Sequence, residues 1–440
     1  MHLRTGATSS ADEPGVRPAD FDAFSVAARV LSSAPLAAAF ATIAVATAFG
    51  EHLITSLIGV AGFSAMLVGL TTIGTGILLA RLPIIEWRGL LPISVLLFLA
   101  WSAVSVVWSA TPLATVPAIG GQLAWAFIAI VIALTRDTIQ IVRATGTAFR
   151  ALLGTSLALE VVSGVLIDTP LPFLGISGNL AFGGPLEGVF GTRSALGIAA
   201  LLGLVTFVVE WRTRSVRHGV TIGSIALAAG LILGTRSPSV ALLAAALGIA
   251  TAVLYGFRQL RPEPRRTWQF VLLTVLALVG LIGYLFRSEV FRVLGLGLEI
   301  EQRYALWQET LRRLAPSEIN GWGWTGGWVS DAVPYRFIDA GLGRTNDSAL
   351  NAYLDVYLQL GLIGLALFLL LGGLALVRTW LIATNRRSVV HVWAALIVVT
   401  LLASGAAESS LLLSGGWLLL VVCAVIGAGG LSWRHKLPER

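Results

Sequence analysis

Between residues 30 and 431 the chain returns repeatedly to apolar stretches of about 17 to 27 residues, the length a helix needs to cross a bilayer. A chain of 440 residues that is 56% hydrophobic and 12% charged cannot hide its apolar surface in one soluble core. A soluble chain of this length would split into two or three domains, whereas here the apolar runs continue from end to end. The apolar windows predict spans at about 30–50, 54–80, 89–109, 114–134, 145–167, 194–211, 219–235, 238–256, 268–286, 353–377, 389–405 and 411–431. The expected fold is all-α: a polytopic membrane bundle of about twelve helices with one large extracytoplasmic loop.

The division that follows is a tail over 1–25, one transmembrane domain over 26–432 that includes the loop 287–350, and a tail over 433–440. Residues 1–25 carry Asp12, Glu13, Asp20, Asp22, Pro14 and Pro18 and no early apolar stretch, which excludes a signal peptide and reads as a loose cytoplasmic tail. With both ends cytoplasmic, the short inner turns collect most of the Lys and Arg, as the positive-inside rule requires. That bias accounts for the net charge of +7 without a nucleic-acid partner. The single cysteine, Cys423, sits inside an apolar run, so no disulfide forms and it serves as packing.

Two cations break the inner-side bias in short outer turns, Arg193 in "GVFGTRSALG" and Arg236 in "LGTRSPSVAL". An arginine at bilayer depth costs about 2.5–3.5 kcal/mol on insertion scales, a cost usually tied to a partner or a function. Arg236 is either a snorkelling anchor or such a functional group. Arg193 is followed by Ser194, a suitable N-cap, and a phosphate held between the guanidinium and the positive end of a helix would be favoured by both.

Within 287–350, Ile300, Tyr304, Trp307, Leu311 and Leu314 recur at helical spacing and predict an amphipathic helix lying on the outer membrane surface. Arg303 lies about 60° from the centre of that stripe, pointing along the interface toward the bundle, with Glu299 four residues earlier as a simple surface partner. "NGWGWTGGWVS" then alternates indoles with glycines. Trp322 and Trp324 are suited either to stacking on sugar rings or to a membrane-interface belt. Asn351, Tyr353, Asp355 and Tyr357 make the mouth of the next span polar, a face that should look into the protein or a wet cavity.

These segments resemble the O-antigen ligase and O-antigen polymerase family of bacterial membrane glycosyltransferases. The resemblance is carried by "GVFGTRSALG" (188–197), "LGTRSPSVAL" (233–242), "EQRYALWQETLRRLAPSEINGWGW" (301–324) and "NAYLDVYLQLGLIGLALF" (351–368). "AAESSLLLSGGWLLL" (406–420), with Glu408, is similar to the family's closing segment. It spans roughly residues 90 to 430. It implies a plasma (inner) membrane location and transfer, on the outer face, of a polyprenyl-diphosphate-linked glycan onto an acceptor saccharide or glycolipid, among membrane lipid and with no cofactor. Arg193, Arg236 and Arg303 occupy the motif positions expected to bind the diphosphate, joined in substrate binding by Asn351, Tyr353, Trp322 and Trp324. A guanidinium suits that task because its fork binds two phosphate oxygens and stays charged. No acidic cluster with metal-ligand spacing is evident on the outer side, which fits a metal-free mechanism.

One position departs from the family pattern: Leu350 stands where a histidine is expected before Asn351, and no histidine lies in the long outer loop. Asp347, Asp355 and Glu408 are the candidate proton acceptors in its place, with Glu160 either a fourth candidate or a structural partner of an arginine. Two other functions compete: a transporter or flippase, for which inverted repeats are not evident, and a non-catalytic relative that binds a lipid-linked glycan.

Overall fold

A computed structural model describes residues 29–82, 92–259, 267 and 297–430, with side chains from Glu301 onward in the last segment. The helices, numbered along the chain, are α1 (Ala34–Phe49), α2 (Glu51–Arg81), α3 (Ile93–Val104), α4 (Pro112–Thr135), α5 (Thr138–Val161), α6 (Arg193–Thr213) and α7 (His218–Gly234). They continue with α8 (Pro238–Gln259), α9 (Gly297–Leu314), α10 (Tyr335–Leu342), α11 (Ala352–Asn385), α12 (Val390–Gly405) and α13 (Ser414–Gly430). The protein is an all-α polytopic membrane bundle. Six helices (α2, α4, α5 with its continuation to Ile167, α6, α8 and α11) are long and apolar enough to cross a bilayer, and five of the predicted spans are shorter apolar helices. The predicted window 268–286 and both expected tails lie outside the described residues.

The bundle is layered by burial. Seventy-two per cent of the apolar window of α6 is buried inside the protein, against 11% for α2. Helix α6 packs against α5, α7 and α12, and α11 against α3, α12 and α13. At the centre lie Phe98, Phe207, Phe368, Trp393 and Trp417. Side-chain hydroxyls along the spans mostly bond the carbonyl one turn back, as Thr206 does to Leu202 and Thr400 to Leu396, which removes their polarity from lipid. At the end away from the loop, arginines bind the last carbonyls of neighbouring helices. Arg81 donates to Thr135 at the end of α4 and also to Ser32 and Ser33 in the turn before α1, and Arg258 Nη1 donates to Ala383. One ion pair, Arg150–Glu210, joins α5 to α6, with Arg150 Nε also donating to Ser224 on α7 at 2.8 Å.

The loop after residue 297 is a small folded unit with its own core of Leu306, Leu314, Trp328, Tyr335, Ile338 and Leu358. Helix α9 forms as the periodicity predicts, but its buried side is rotated from the predicted stripe. Leu306, Thr310 and Leu314 pack inward while Tyr304 and Leu311 are half exposed. The apolar arc is wide enough to serve two surfaces, its inner half against the loop core and its outer half away from the protein. The indoles are neither a membrane belt nor an open stacking platform. Trp322 packs beside the loop core and donates to the Arg313 carbonyl, and Trp324, 2% exposed, stands edge-on to Phe98 at 6.1 Å.

Helix α11 is interrupted at Gly361, whose φ of 67° leaves the helical region. The freed backbone groups pair with the loop: Trp322 N–H donates to Leu358 O, Gly323 N–H to Gln359 O and Leu362 N–H to Glu318 O. Glycine is required on both sides of this seam, because a Cβ at Gly361 would overlap the Ile319 carbonyl and one at Gly321 the Gln359 backbone. The "GLIG" and "NGWG" stretches are therefore two halves of one contact.

Candidate functional site

The polar mouth of α11 has a structural explanation. Asn351 caps the helix, its Oδ1 accepting from Tyr353 N and Leu354 N. One turn on, Asp355 is 1% exposed and accepts from Trp328 Nε1 (2.6 Å), Ala349 N and Ser409 Oγ. A further turn on, Gln359 accepts from Thr325 N and Gly326 N and donates to Gly326 O. Asn351, Asp355 and Gln359 share one helix face, and the last two fasten the loop onto α11. Asp355 has no open edge for a substrate. Tyr353 donates its hydroxyl to Leu402 O at 2.7 Å, and Asp347 is exposed, its carbonyl accepting from Trp328 N. Burial raises the phenol pKa of Tyr335, so its hydroxyl stays a neutral partner of Thr325.

Arg303 is the centre of the arrangement. Its guanidinium donates to Glu408 Oε1 at 3.0 Å, to the Leu350 carbonyl at 3.3 Å and to the Ala407 carbonyl. Its partner is thus an acid 105 residues away. The surface partner expected at Glu299 lies outside the described side chains. Trp307 Nε1 donates to Ala349 O and Asn351 Nδ2 to Ala406 O, so α9, the 349–351 turn and the 406–408 turn are tied at one point. Leu350, at the expected histidine position, has φ 50°, a left-handed conformation that non-glycine residues adopt at a cost of about 1 kcal/mol or more. Its side chain packs against the loop core and its carbonyl faces Arg303.

Arg303 and Glu408 close one end of a cavity of about 310 Å³ whose walls include Ile198 of α6 and Val240, Leu242 and Leu243 of α8. The other two arginines flank this wall. Thr192, not Ser194, caps α6 through a bond from Ala195 N, so Arg193 occupies the first helical position. The Ser194 hydroxyl instead meets Ser237 at 3.3 Å and Ser239 at 3.4 Å, bringing the N-termini of α6 and α8 together. Arg236 precedes this cluster with φ 46°, and its guanidinium lies over the Gly183 turn, 3.4 Å from where a Cβ there would stand. The structure brings the Arg193 and Arg236 backbones together through Ser194 and Ser237, and Arg303 lines the cavity whose wall includes Pro238 and Ser239. The guanidinia of Arg236 and Arg303 are turned to different partners.

Glu160 is neither an open acid nor an arginine partner. It accepts from the backbone N–H groups of Glu187 (2.7 Å) and Gly188 (2.8 Å), fixing the turn that leads to Arg193. His52, which lies far from the long loop in the sequence, reaches the turn that leads to Arg193. Its ring lies flat against Gly191, two residues before Arg193, with Nε2 3.2 Å from Leu174 O. It lines a second cavity, of about 320 Å³, that shares the Ile198 wall with the first. Only the break between α1 and α2 at Gly50 hinted at this position, since nothing local connects residue 52 with 191.

Residues 223–369, about a third of the chain, match the family model described as O-antigen ligase. No curated protein matches the chain. The matched region holds Arg236, Arg303, Leu350 and Asn351; Arg193, Glu408 and His52 reach the same neighbourhood from outside it.

Proposed function

We propose that the chain, whose residues 223–369 match the O-antigen ligase family model, is a membrane glycosyltransferase of the bacterial inner membrane. It moves a glycan from a polyprenyl diphosphate to an acceptor saccharide or glycolipid on the outer face. The observation that carries this reading is the 310 Å³ cavity, apolar along α8 and closed by the Arg303–Glu408 pair. An isoprenoid tail suits the apolar wall. The diphosphate suits the polar part of the lining, where Arg303 and the N-terminus of α8 at Pro238 and Ser239 supply positive potential.

The acceptor hydroxyl attacks the anomeric carbon, the bond from that carbon to the phosphate oxygen breaks, and the lipid diphosphate leaves with the electron pair. Positive charge fixed around the diphosphate stabilises the negative charge that grows there. Arg303 is held by two backbone carbonyls and one carboxylate, so an arriving phosphate competes with Glu408 for the fork, and that carboxylate stands beside the diphosphate site to take the hydroxyl proton. Glu408 is favoured over Asp355, which is buried and saturated, and over Asp347, which is exposed away from this junction.

Purified protein in nanodiscs with a polyprenyl-diphosphate-linked oligosaccharide and membrane glycolipid tests this. Release of the lipid diphosphate that Arg236→Ala and Arg303→Ala abolish is expected. Binding without release would identify a non-catalytic binder, and absence of both would sink the assignment.

A further inference from the structure

A third cavity, of about 830 Å³, lies between α2, α4, the Trp324–Gly327 turn and the start of α13. We propose that it is a saccharide site that takes an uncharged, hydroxyl-rich glycan, separate from the diphosphate site at Arg303. The proposal rests on the glycosyltransferase reading above and names the chemistry of one of its substrates.

The first observation is Gln122 of α4. It lines this cavity, is 7% exposed, and neither its Oε1 nor its Nε2 has a hydrogen-bond partner. A buried amide is normally satisfied, and an orphan one in a cavity wall marks a place where a ligand supplies both a donor and an acceptor. A sugar hydroxyl does both. The second observation is charge. Glu51 lines the cavity, and no arginine or lysine does so among the described residues. A lone carboxylate accepts hydroxyl donors and repels phosphate, so the diphosphate is the wrong occupant here.

The walls agree with a ring-shaped ligand. Trp125, Trp324 and Trp417 border it with only 2–3% of their surface exposed, so they shape a rigid wall around the space. Two glycine pairs, Gly120–Gly121 and Gly326–Gly327, leave the backbone bare, since a Cβ at any of the four would meet nothing within 4 Å. Position also agrees. Glu51 belongs to both this cavity and the 320 Å³ cavity of His52, which shares Ile198 with the Arg303 cavity. The first two spaces meet at Ile198 and the last two at Glu51 and Leu413, a series from the proposed leaving-group site to the proposed glycan site. The cavity's wall also runs along exposed residues of α2 such as Val60 and Val68, where an acyl chain would fit. An acyl chain would leave the Gln122 amide unsatisfied, which favours the saccharide.

The glycan could belong to the acceptor or to the donor's own chain, and the test separates them. Lipid-free oligosaccharide released from membrane glycolipid by mild acid serves as the probe, read by saturation-transfer NMR on protein in nanodiscs. Undecaprenyl diphosphate retention is followed in parallel by native mass spectrometry. Saccharide binding is expected for the wild type. It should fall about tenfold in Gln122→Leu, which removes the amide hydrogen bonds, and in Gly121→Leu, which fills the open wall. Both variants should retain undecaprenyl diphosphate. Should Gly121→Leu fail to fold, Gln122→Leu decides. Saccharide signal that survives excess lipid-linked donor assigns the site to the acceptor, and signal displaced by it assigns the site to the donor glycan. The proposal is overturned if the wild type gives no saccharide signal, if both variants bind as the wild type does, or if phosphatidylglycerol alone competes the signal away. Loss of undecaprenyl diphosphate binding by the wild type would instead remove the functional reading beneath it.

Discussion

The bundle and the loop seated on it are stabilised in opposite ways. In the bundle, polar side chains mostly fold back onto their own helix, and contact between helices is mainly apolar, with Arg150–Glu210 and the Ser194–Ser237–Ser239 hydroxyls as polar exceptions. On the loop side, the polar face of α11 does the reverse. Asp355 and Gln359 spend their hydrogen bonds on Trp328, Ala349, Thr325, Gly326 and Ser409, groups of other segments. A membrane helix can therefore carry acids and amides at its end without forming a wet channel, when a folded loop supplies the complementary groups. The candidate site lies on this border, where α9, the 349–351 turn and the 406–408 turn meet at Arg303.

The comparison predicts its own failures. Gly361→Ala should be the most damaging change, because the new Cβ enters the Ile319 backbone and φ is left-handed. A loss above about 4 kcal/mol is expected, seen as loop proteolysis and loss of monodisperse protein in detergent. A well-behaved variant would mean that the α11 break is not what seats the loop. Asp355→Ala leaves an indole N–H, a backbone N–H and a hydroxyl buried without their acceptor, at a cost of about 2–4 kcal/mol; a thermal melt monitored by tryptophan fluorescence reads it.

Arg303→Ala acts on chemistry more than on folding. About a hundredfold loss in transfer rate is expected, about 2.7 kcal/mol of transition-state stabilisation, with Arg303→Lys restoring only part because it lacks the fork. Equal turnover in the alanine variant would separate Arg303 from the reaction. The smallest effect belongs to the bundle. Gly69→Ala on α2 meets nothing within 4 Å and should stabilise by about 0.5–1 kcal/mol through helix propensity, measured as a small rise in the melting temperature.

Legibility in the sequence followed the same border. The apolar windows match the described membrane helices to within a few residues, apart from α5, which starts at Thr138 against 145, and α11, which runs on to Asn385 against 377. The motif segments around Arg193, Arg236, Arg303 and Asn351 could be recognised from their residues, yet the roles of their neighbours could not. Ser194 was expected as a cap and is instead a hydroxyl bridge between two helices. Trp322 and Trp324 are expected at an interface or a ligand, whereas Trp322 packs half-buried beside the loop core and Trp324 is buried within the protein. Asp355 was a candidate base and is a fastening point of the loop.

What the sequence determined by itself is the all-helical membrane architecture and the position of most spans, because lipid partitioning sums over residues within a single stretch and needs no knowledge of the rest. What only the tertiary structure decided is which polar groups meet: Arg303 with Glu408, His52 with Gly191, Glu160 with the Glu187–Gly188 backbone, and Gln122 with an open cavity wall. The strength of a hydrogen bond or ion pair depends on a few ångströms of separation between groups that can be a hundred residues apart. Local composition carries no record of that distance.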